Sequence, residues 1–408
     1  MKKNKKGMDR RTFLKTTGIG SASMALSAGI PENLLASESA NGGKKSEMPT
    51  RILGKSGIPV PILSLGGSLD FTTNQNLLRI GFNMGINFWD TGDTYANGKS
   101  EIGIGQYFNK YPEDRKEIFI CTKVLEKYTP QEVSDSIDSS LEKMQTDYLD
   151  LFLFHNISTV ESLTPEIMKL AEQKKKEGKI KLFGLSTHLF KGDQFLSEVA
   201  AIGWIDAIML TYNYVLMKKD EMKRGIDACA KAGIGLIAIK SQAKNMNIVE
   251  TPQELEALNH FLEKGYTLEQ AKLKAVWDNE RIATICSHIT NLTILKENVT
   301  AATDNVKLSS GDFKMLNMLA EAGRSYYCQG CGECIAAMGV ENRIPDIMRY
   351  MMYYNSYGER DRARSLFREL PATLRNTLAS KDYSPAEAVC PHGIQIGNIM
   401  KKASVMLA

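Results

Sequence analysis

YLDLFLFH, residues 148–155, crowds leucine, phenylalanine and tyrosine into eight positions and ends on a histidine. The run is too short for an ordinary helix and apolar at most positions, as a strand buried on both faces of a parallel sheet should be. Seven runs of the same kind lie before and after it: ILSLG (62–66), INFWD (86–90), EIFICTK (117–123), IKLFGLS (180–186), IDAIMLT (205–211), IGLIAIK (234–240) and IATICS (282–287). Helical patterns separate them, such as TPQEVSDSIDSSLEKM (129–144), with Thr-Pro at its start, and DEMKRGIDACAKAG (220–233), with Gly at its stop. Eight such units in about 230 residues predict an α/β fold, a (β/α)8 TIM barrel over 50–305, more readily than an open doubly wound sheet. Periodicity alone leaves both open. The lack of a Gly-rich dinucleotide turn after the first strand counts against the open sheet.

Hydrophobic residues make up 43% of the 408-residue chain and its charges are mixed, the composition of a globular protein with ample core material. The net charge of +4 comes from one end: residues 1–36 carry seven Lys and Arg against two acids, and the remainder is close to neutral. EQKKKEGKIK (172–181) reads as a charged helix end, and nothing predicts a nucleic-acid partner. In DRRTFLK (9–15), Arg10 and Arg11 precede Phe-Leu, and the weakly apolar TTGIGSASMALSAGI (16–30) follows. That second run is too short and too polar for a bilayer span, which takes roughly 20 apolar residues. Residues 1–36 resemble a twin-arginine export signal, whose pathway moves folded, cofactor-loaded proteins. The resemblance implies the twin-arginine export machinery as a partner and a periplasmic location. Ala36 and Ala40 both fit as the last residue of the signal, and Ser, Asn, Gly and Lys make 37–49 a linker.

Chemistry in a barrel gathers at the carboxyl ends of the strands. The second predicted strand ends on Asp90 in FWDTGDTYANGKSE, with Tyr95 five residues on; the third ends on Lys123 and the fourth on His155. Singly, each has a bland reading as a loop cap, a snorkelling lysine or a structural histidine. Jointly they bring an acid, an ammonium, an imidazole and a phenol to one mouth. In this order they resemble the aldo/keto reductase superfamily, over about residues 50–300. RILGKSGIPVPILSLGG (51–67) is similar to the family's opening segment, DTGDTYANGKSE (90–101) to its DTA-x-x-Y-G-x-x-E box, and GKIKLFGLS (178–186) to the lead-in to its fifth strand. The resemblance implies reduction of a small-molecule carbonyl by hydride from NADPH or NADH. Negative charge then develops on oxygen, and a proton donor must stand ready there. Tyrosine, with a free pKa of about 10, is a weak acid that a neighbouring ammonium helps. On this reading Tyr95 donates the proton, Lys123 tunes it, Asp90 anchors Lys123 and His155 orients the carbonyl oxygen. In reverse, the Tyr95 phenolate serves as base for alcohol oxidation.

The family binds its dinucleotide extended across the barrel mouth. The resemblance implies cofactor contacts from Ser186, Thr187, Tyr212, Lys240, Ser241, Ser287 and Asn298. Thr187 stands where the family often has Asn, and Met209 where it usually has Gln, so two amide contacts are lost. No arginine stands in SHITNLTILKENVTAA (287–302) to pair with a 2′-phosphate; His288 and Lys296 are the basic residues there. Tolerated variation, a weakened preference for NADPH and a cofactor trapped before export all remain open.

Beyond residue 308 the alternation stops. A helical pattern, SSGDFKMLNMLAEAG (309–323), leads to CQGCGEC (328–334), three cysteines at C-x2-C-x2-C spacing. In two-cluster ferredoxins the fourth cysteine of such a run, followed by proline, serves the other cluster. Here Ala337 replaces the first run's fourth cysteine, Glu387 and Ser384 replace two of the second run's own, and Cys390-Pro391 remains. The losses are complementary. Cys328, Cys331, Cys334 and Cys390 thus form one ligand set, expected to hold one [4Fe–4S] cluster in a mostly helical, ferredoxin-like extension over 306–408; zinc is the rival. Cys121, Cys229 and Cys286 read as small buried hydrophobes, and His392 as lying beside the ligands or exposed, with a ligand role as the alternative. IPDIMRYMMYYNSYG (344–358) reads as packing over the cluster, with a methionine-rich docking face as the alternative, and ERDRARSLFREL (359–370) as a solvated helix face. The extension shows little core of its own, so the cluster either holds it together or exchanges electrons with the carbonyl-reducing site, which leaves room for a redox partner. The whole reads as an exported reductase of an aldehyde, ketone or keto-sugar. The alternative is an exported iron–sulfur electron carrier or binding protein whose barrel no longer uses nicotinamide.

Overall fold

The computed structural model describes residues 47–125, 128–188, 193–244, 246 and 251–408. The expected export signal and nearly all of the linker lie outside the described residues. An antiparallel hairpin, β1 (Thr50–Ile52) against β2 (Pro59–Pro61), comes first. Leu53 and Val60 from this hairpin are fully buried and join Phe88, Phe119 and Leu151 in the barrel's interior cluster.

The eight apolar runs form β3 (Leu63–Gly66), β4 (Phe88–Asp90), β5 (Phe119–Val124), β6 (Leu149–Phe154), β7 (Ile180–Thr187), β8 (Ala207–Thr211), β9 (Gly235–Ile239) and β10 (Ile282–His288). They are parallel and close into a barrel, β10 pairing with both β3 and β9. Register decides which strand ends meet: Asp90 lies opposite Cys121, Lys123 opposite Leu153 and Ser287 opposite Leu65. Around the barrel run α1 (Gln75–Asn83), α2 (Lys99–Lys110), α3 (Pro130–Met144), α4 (Pro165–Lys176), α5 (Gln194–Ile202), α6 (Asp220–Lys231), α7 (Pro252–Glu263), α8 (Leu268–Trp277) and α9 (Leu292–Thr303). α3 begins where Thr-Pro predicts: Glu132 N–H donates to Thr129 Oγ1 at 3.3 Å and Thr129 N–H to Glu132 Oε2 at 3.1 Å.

The remaining chain is helical: α10 (Ser310–Ala322), α11 (Glu333–Met338), α12 (Ile344–Met352), a π turn over Tyr353–Tyr357, α13 (Arg360–Arg368), α14 (Ala372–Thr377), α15 (Ser384–Ala388) and α16 (Ile396–Met406). Contrary to expectation it has a substantial core. Ile347, Met351, Phe367, Ile399 and Met400 are buried in one cluster with Phe261 and Ala271 of α7 and α8, so Lys45–Ala408 forms one compact unit. The solvated reading of ERDRARSLFREL is also corrected. Ala363, Phe367 and Leu370 are buried on one face at helical spacing, which docks α13 and carries Arg362 to the barrel mouth. No helix among the described residues is long and apolar enough to cross a membrane.

Candidate active site

β4 delivers Asp90 to the mouth, and the chain then turns sharply. Ala96, Asn97 and Gly98 have φ of 50°, 56° and 82°, a conformation that suits Asn and Gly and strains Ala. Backbone bonds from Tyr95 N–H to Gly92 O and from Gly98 N–H to Tyr95 O, both 3.0 Å, tie the turn down. Glu101, fully buried, pins its far end by accepting from Thr122 Oγ1 (2.6 Å), Ser140 Oγ (2.7 Å) and Lys143 Nζ (3.2 Å). Tyr95 is therefore held over the strand ends. Next to β3, a Cβ on Gly67 would come 1.9 Å from the Asp90 carbonyl oxygen, so the close approach requires glycine.

Lys123 Nζ donates to the Asp90 carboxylate and, at 2.7 Å, to Thr91 O. It lies 4.8 Å from the Tyr95 ring centroid, and the Tyr95 and His155 rings meet edge-on at 5.7 Å. All four side chains line one cavity of about 730 Å³ at the carboxyl ends of the strands. Burial pushes the Tyr95 phenol up to about 12 against the pull of Lys123, which keeps it in the proton-donating form. Burial alone would lower Lys123, but Asp90 and Tyr95 carry it above the ordinary lysine value, so it stays an ammonium. Burial, reinforced by Lys123 and Arg362, drives His155 far below the usual histidine range. Its imidazole is neutral and can donate one N–H to a carbonyl oxygen. Cys121 and Cys286 are buried as expected, close to the Asp90 carboxyl, and burial raises both thiols far above the usual value. Cys229 is a buried filler as expected.

A family model for the aldo/keto reductases matches residues 62–319, well over half of the chain. The chain belongs to the aldo/keto reductase family. It is accordingly an oxidoreductase of the NAD(P)H-dependent aldo/keto reductase type. L-galactose dehydrogenase of Arabidopsis thaliana is 23% identical over 286 residues, 64% of this chain and 89% of that protein. An aldo-keto reductase of Fusarium vanettenii is 27% identical over 253 residues, 51% of this chain and 66% of that protein. Among solved structures, aldo-keto reductase AKR11C1 from Bacillus halodurans in its holo form matches with a TM-score of 0.56 at 23% identity. That match covers 70% of this chain and 99% of the other, a likeness in fold.

Of the positions where an aldo/keto reductase would hold its cofactor, Ser186, Lys240, Ser241 and Ser287 line the cavity. Ser241 Oγ is buried without a partner among the described residues, as a hydroxyl awaiting a ligand would be. Asn298 stands behind, its Nδ2 donating to Ser287 Oγ at 3.0 Å. Thr187 and Tyr212 do not line the cavity. Neighbouring strand residues face opposite sides, so Ser186 and Met209 point into the cavity. Tyr212 instead packs into the outer core, its hydroxyl accepting from Asn279 Nδ2 at 2.9 Å.

The C-terminal helices complete the same cavity with Tyr353, Tyr357, Glu359 and Arg362, none of which sequence reasoning found. Lys240 Nζ donates to Tyr353 OH at 3.1 Å, and Glu359 pairs with His288 at 2.5 Å and with Arg362 at 2.8 Å. Arg362 also donates to Ser68 Oγ at 2.8 Å and lies 5.3 Å from the Tyr95 ring centroid and 4.7 Å from that of Tyr353. Burial would raise Tyr353, yet Lys240, Arg362 and Arg349 bring it below the ordinary tyrosine value.

Cys328, Cys331, Cys334 and Cys390 line a separate cavity of about 370 Å³, walled by Ile344, Pro345, Met348, Ile394 and Ile396, with His392 beside them. Burial raises the thiols of Cys328, Cys331 and Cys334 above the usual value, opposed by the nearby backbone N–H groups of Gly330, Glu333 and Ile335. Among the described residues no group of three or more His, Cys, Asp or Glu side chains is placed to hold a metal ion.

Proposed function

We propose that this chain is an exported, NADPH- or NADH-dependent reductase of an aldehyde, ketone or keto-sugar whose C-terminal helices hold one [4Fe–4S] cluster. The observation that carries the catalytic part is the convergence of Asp90, Lys123, Tyr95 and His155 on one cavity. Ser186, Lys240, Ser241 and Ser287 would hold a nicotinamide dinucleotide there, which when bound supplies hydride to the carbonyl carbon. The chain's own residues do the rest. His155 and the Tyr95 hydroxyl donate hydrogen bonds to the carbonyl oxygen. Tyr95 passes its proton to that oxygen as charge builds, and Lys123 stabilises the phenolate left behind. Asp90 keeps Lys123 charged and in place. The roof of Tyr353, Tyr357 and Arg362 restricts water.

Support for the cluster comes from the C-x2-C-x2-C spacing with its distant Cys-Pro, and from all four cysteines lining one cavity with Ile344, Met348, Ile394 and Ile396. Support for export comes from Arg10 and Arg11 ahead of a weakly apolar run. One observation favours the alternative, an iron–sulfur carrier that no longer uses nicotinamide: the Glu359 carboxylate lies against His288 on the side expected to receive the cofactor's phosphates.

Tyr95→Phe in the full-length, cluster-loaded protein tests the reductase. Carbonyl turnover should fall by about 10²–10⁴-fold with fold and iron content intact, and unchanged turnover would remove the mechanism. Cys390→Ser should lower bound iron and sulfide; full retention of both would rule out the four-cysteine ligand set. Replacing Arg10 and Arg11 with lysine should trap the protein in the cytoplasm, and continued export would dismiss the twin-arginine reading.

A further inference from the structure

The cavity over the barrel mouth holds a second phenol that carbonyl reduction does not use. Tyr353, 2% exposed, lines it together with Tyr95 and opens the π turn over Tyr353–Tyr357, a backbone form frequent at functional sites. Asn355 Nδ2 ties that turn down by donating to Met246 O at 2.6 Å. Lys240 Nζ donates to the Tyr353 hydroxyl at 3.1 Å and lies 4.3 Å from its ring centroid. A left-handed backbone sets Lys240 there, with φ of 55°, a strained form for lysine that active sites retain. The mouth thus carries two phenol–lysine pairs, Tyr95 with Lys123 and Tyr353 with Lys240. The Arg362 guanidinium stands by both rings, 5.3 Å and 4.7 Å from their centroids. The pairs are tuned apart. Burial holds Tyr95 up at about 12. Burial would raise Tyr353 too, but Lys240, Arg362 and Arg349 outweigh it, even against Glu359, and bring it below the ordinary tyrosine value. Two titratable groups pushed in opposite directions within one site divide the work of acid and base.

We propose that Tyr353 is a general base and that this site removes the proton from the carbon next to the carbonyl of α-hydroxy aldehydes and ketones. The inference rests on the reading that the carbonyl oxygen sits against Tyr95 and His155, and it needs no dinucleotide. The Tyr353 phenolate oxygen takes the α-proton. The C–H electron pair becomes the C=C bond of an enediolate, and the carbonyl π pair moves onto oxygen, where Tyr95 and His155 donate hydrogen bonds. Tyr353 then gives a proton back. Returned to the same carbon, it completes an exchange with solvent. Delivered to the former carbonyl carbon, it shifts the carbonyl by one position, the α-hydroxyl proton passing to the first oxygen. No electron donor or acceptor enters.

The test incubates the full-length, cluster-loaded protein with dihydroxyacetone in D2O, without added dinucleotide, and follows the α-hydrogens by NMR beside a protein-free control. Deuterium should enter about tenfold or more faster than in the control. One hydrogen on each carbon should exchange well before the other, because a base fixed on one side reaches only one of them. Tyr353→Phe should slow the exchange by about 10²–10⁴-fold, as loss of a general base does. Lys240→Gln should slow it by about tenfold, as loss of a charged donor to the phenolate does. Wild-type exchange no faster than the control overturns the proposal. So does equal exchange of both hydrogens, or an unchanged rate in either variant once circular dichroism shows that variant folded. Exchange that meets these terms while no carbonyl is reduced by NADPH or NADH upholds Tyr353 as the base, and it is then the reductase reading that fails. Reduction without exchange does the reverse.

Discussion

Lys123→Met removes an ammonium while keeping most of the side-chain volume. Lys123 is 1% exposed and Asp90 3% exposed, so the variant strands a carboxylate in a dry barrel mouth beside the thiols of Cys121 and Cys286. Breaking one half of a buried ion pair costs about 3–5 kcal/mol, unless the stranded carboxyl first escapes by taking up a proton. In a chain of this size each kcal/mol moves Tm by roughly 2 °C, so a fall of about 6–10 °C is expected. Adding Asp90→Asn should return most of that loss, because an amide needs no counter-ion. The double variant should then melt within a few degrees of wild type. Turnover should not return with it. Without Lys123 the phenolate formed at Tyr95 loses its stabilising charge, and kcat should be about 10²–10⁴-fold down in single and double variant alike. Thermal melts followed by circular dichroism, with initial rates on one carbonyl, give both readouts. A single variant that melts with the wild type would mean Asp90 is not held as a charged partner. A double variant that regains turnover would mean Lys123 does not act on Tyr95.

Reductive kcat/KM should stay level through neutral and mildly alkaline pH and decline only as pH nears the Tyr95 value of about 12, because the reaction consumes the protonated phenol. A decline centred on the free tyrosine value of about 10 would show that burial does not hold the proton. Gly67→Ala should part the ends of β3 and β4, at about 1–3 kcal/mol, and lower turnover together with Tm; an active variant with unchanged Tm would contradict the 1.9 Å approach to Asp90. Asp312 accepts from Ser309 N–H (2.7 Å), Ser309 Oγ (2.7 Å), Lys264 Nζ (2.6 Å) and His260 Nε2 (2.7 Å), which together hold it well below the carboxylate range despite burial. Asp312→Asn should therefore cost about 2 kcal/mol in urea unfolding at neutral pH. That gap is full above the unfolded value of about 3.9 and shrinks as pH falls toward the lower folded value. A gap that persists in strong acid would point to lost packing instead.

The barrel was legible because strands buried on both faces have to be apolar throughout. Runs such as 148–155 and 180–186 therefore stand out without any help from tertiary context. Asp90, Lys123 and His155 were legible for a related reason: a charged or polar residue ending such a run sits where a barrel keeps its chemistry. Alternation also could have warned that Thr187 faces away when Ser186 faces in. The C-terminal contribution was hidden by composition. In ERDRARSLFREL the charges dominate the eye, while Ala363, Phe367 and Leu370 carry the docking stripe and leave Arg362 beside it. Which surface that stripe meets depends on α7 and α8, roughly a hundred residues upstream, and no local pattern encodes the partner. Glu101 was visible in the loop motif, but its burial and three donors depend on β5 and α3.

The contact between Ser68 and Arg362 joins residues 294 positions apart. A growing chain has made every strand of the barrel long before Arg362 leaves the ribosome. At that stage Tyr95 and Lys123 face an open, hydrated mouth, without Tyr353, Tyr357 or Glu359 above them. Synthesis thus finishes the scaffold first and the reaction chamber nearly last, as expected where the decisive contacts are those farthest apart in sequence. A ribosome-stalled chain ending at α10 should carry a closed barrel and be inactive. Activity should appear only after α13 has been released and has docked.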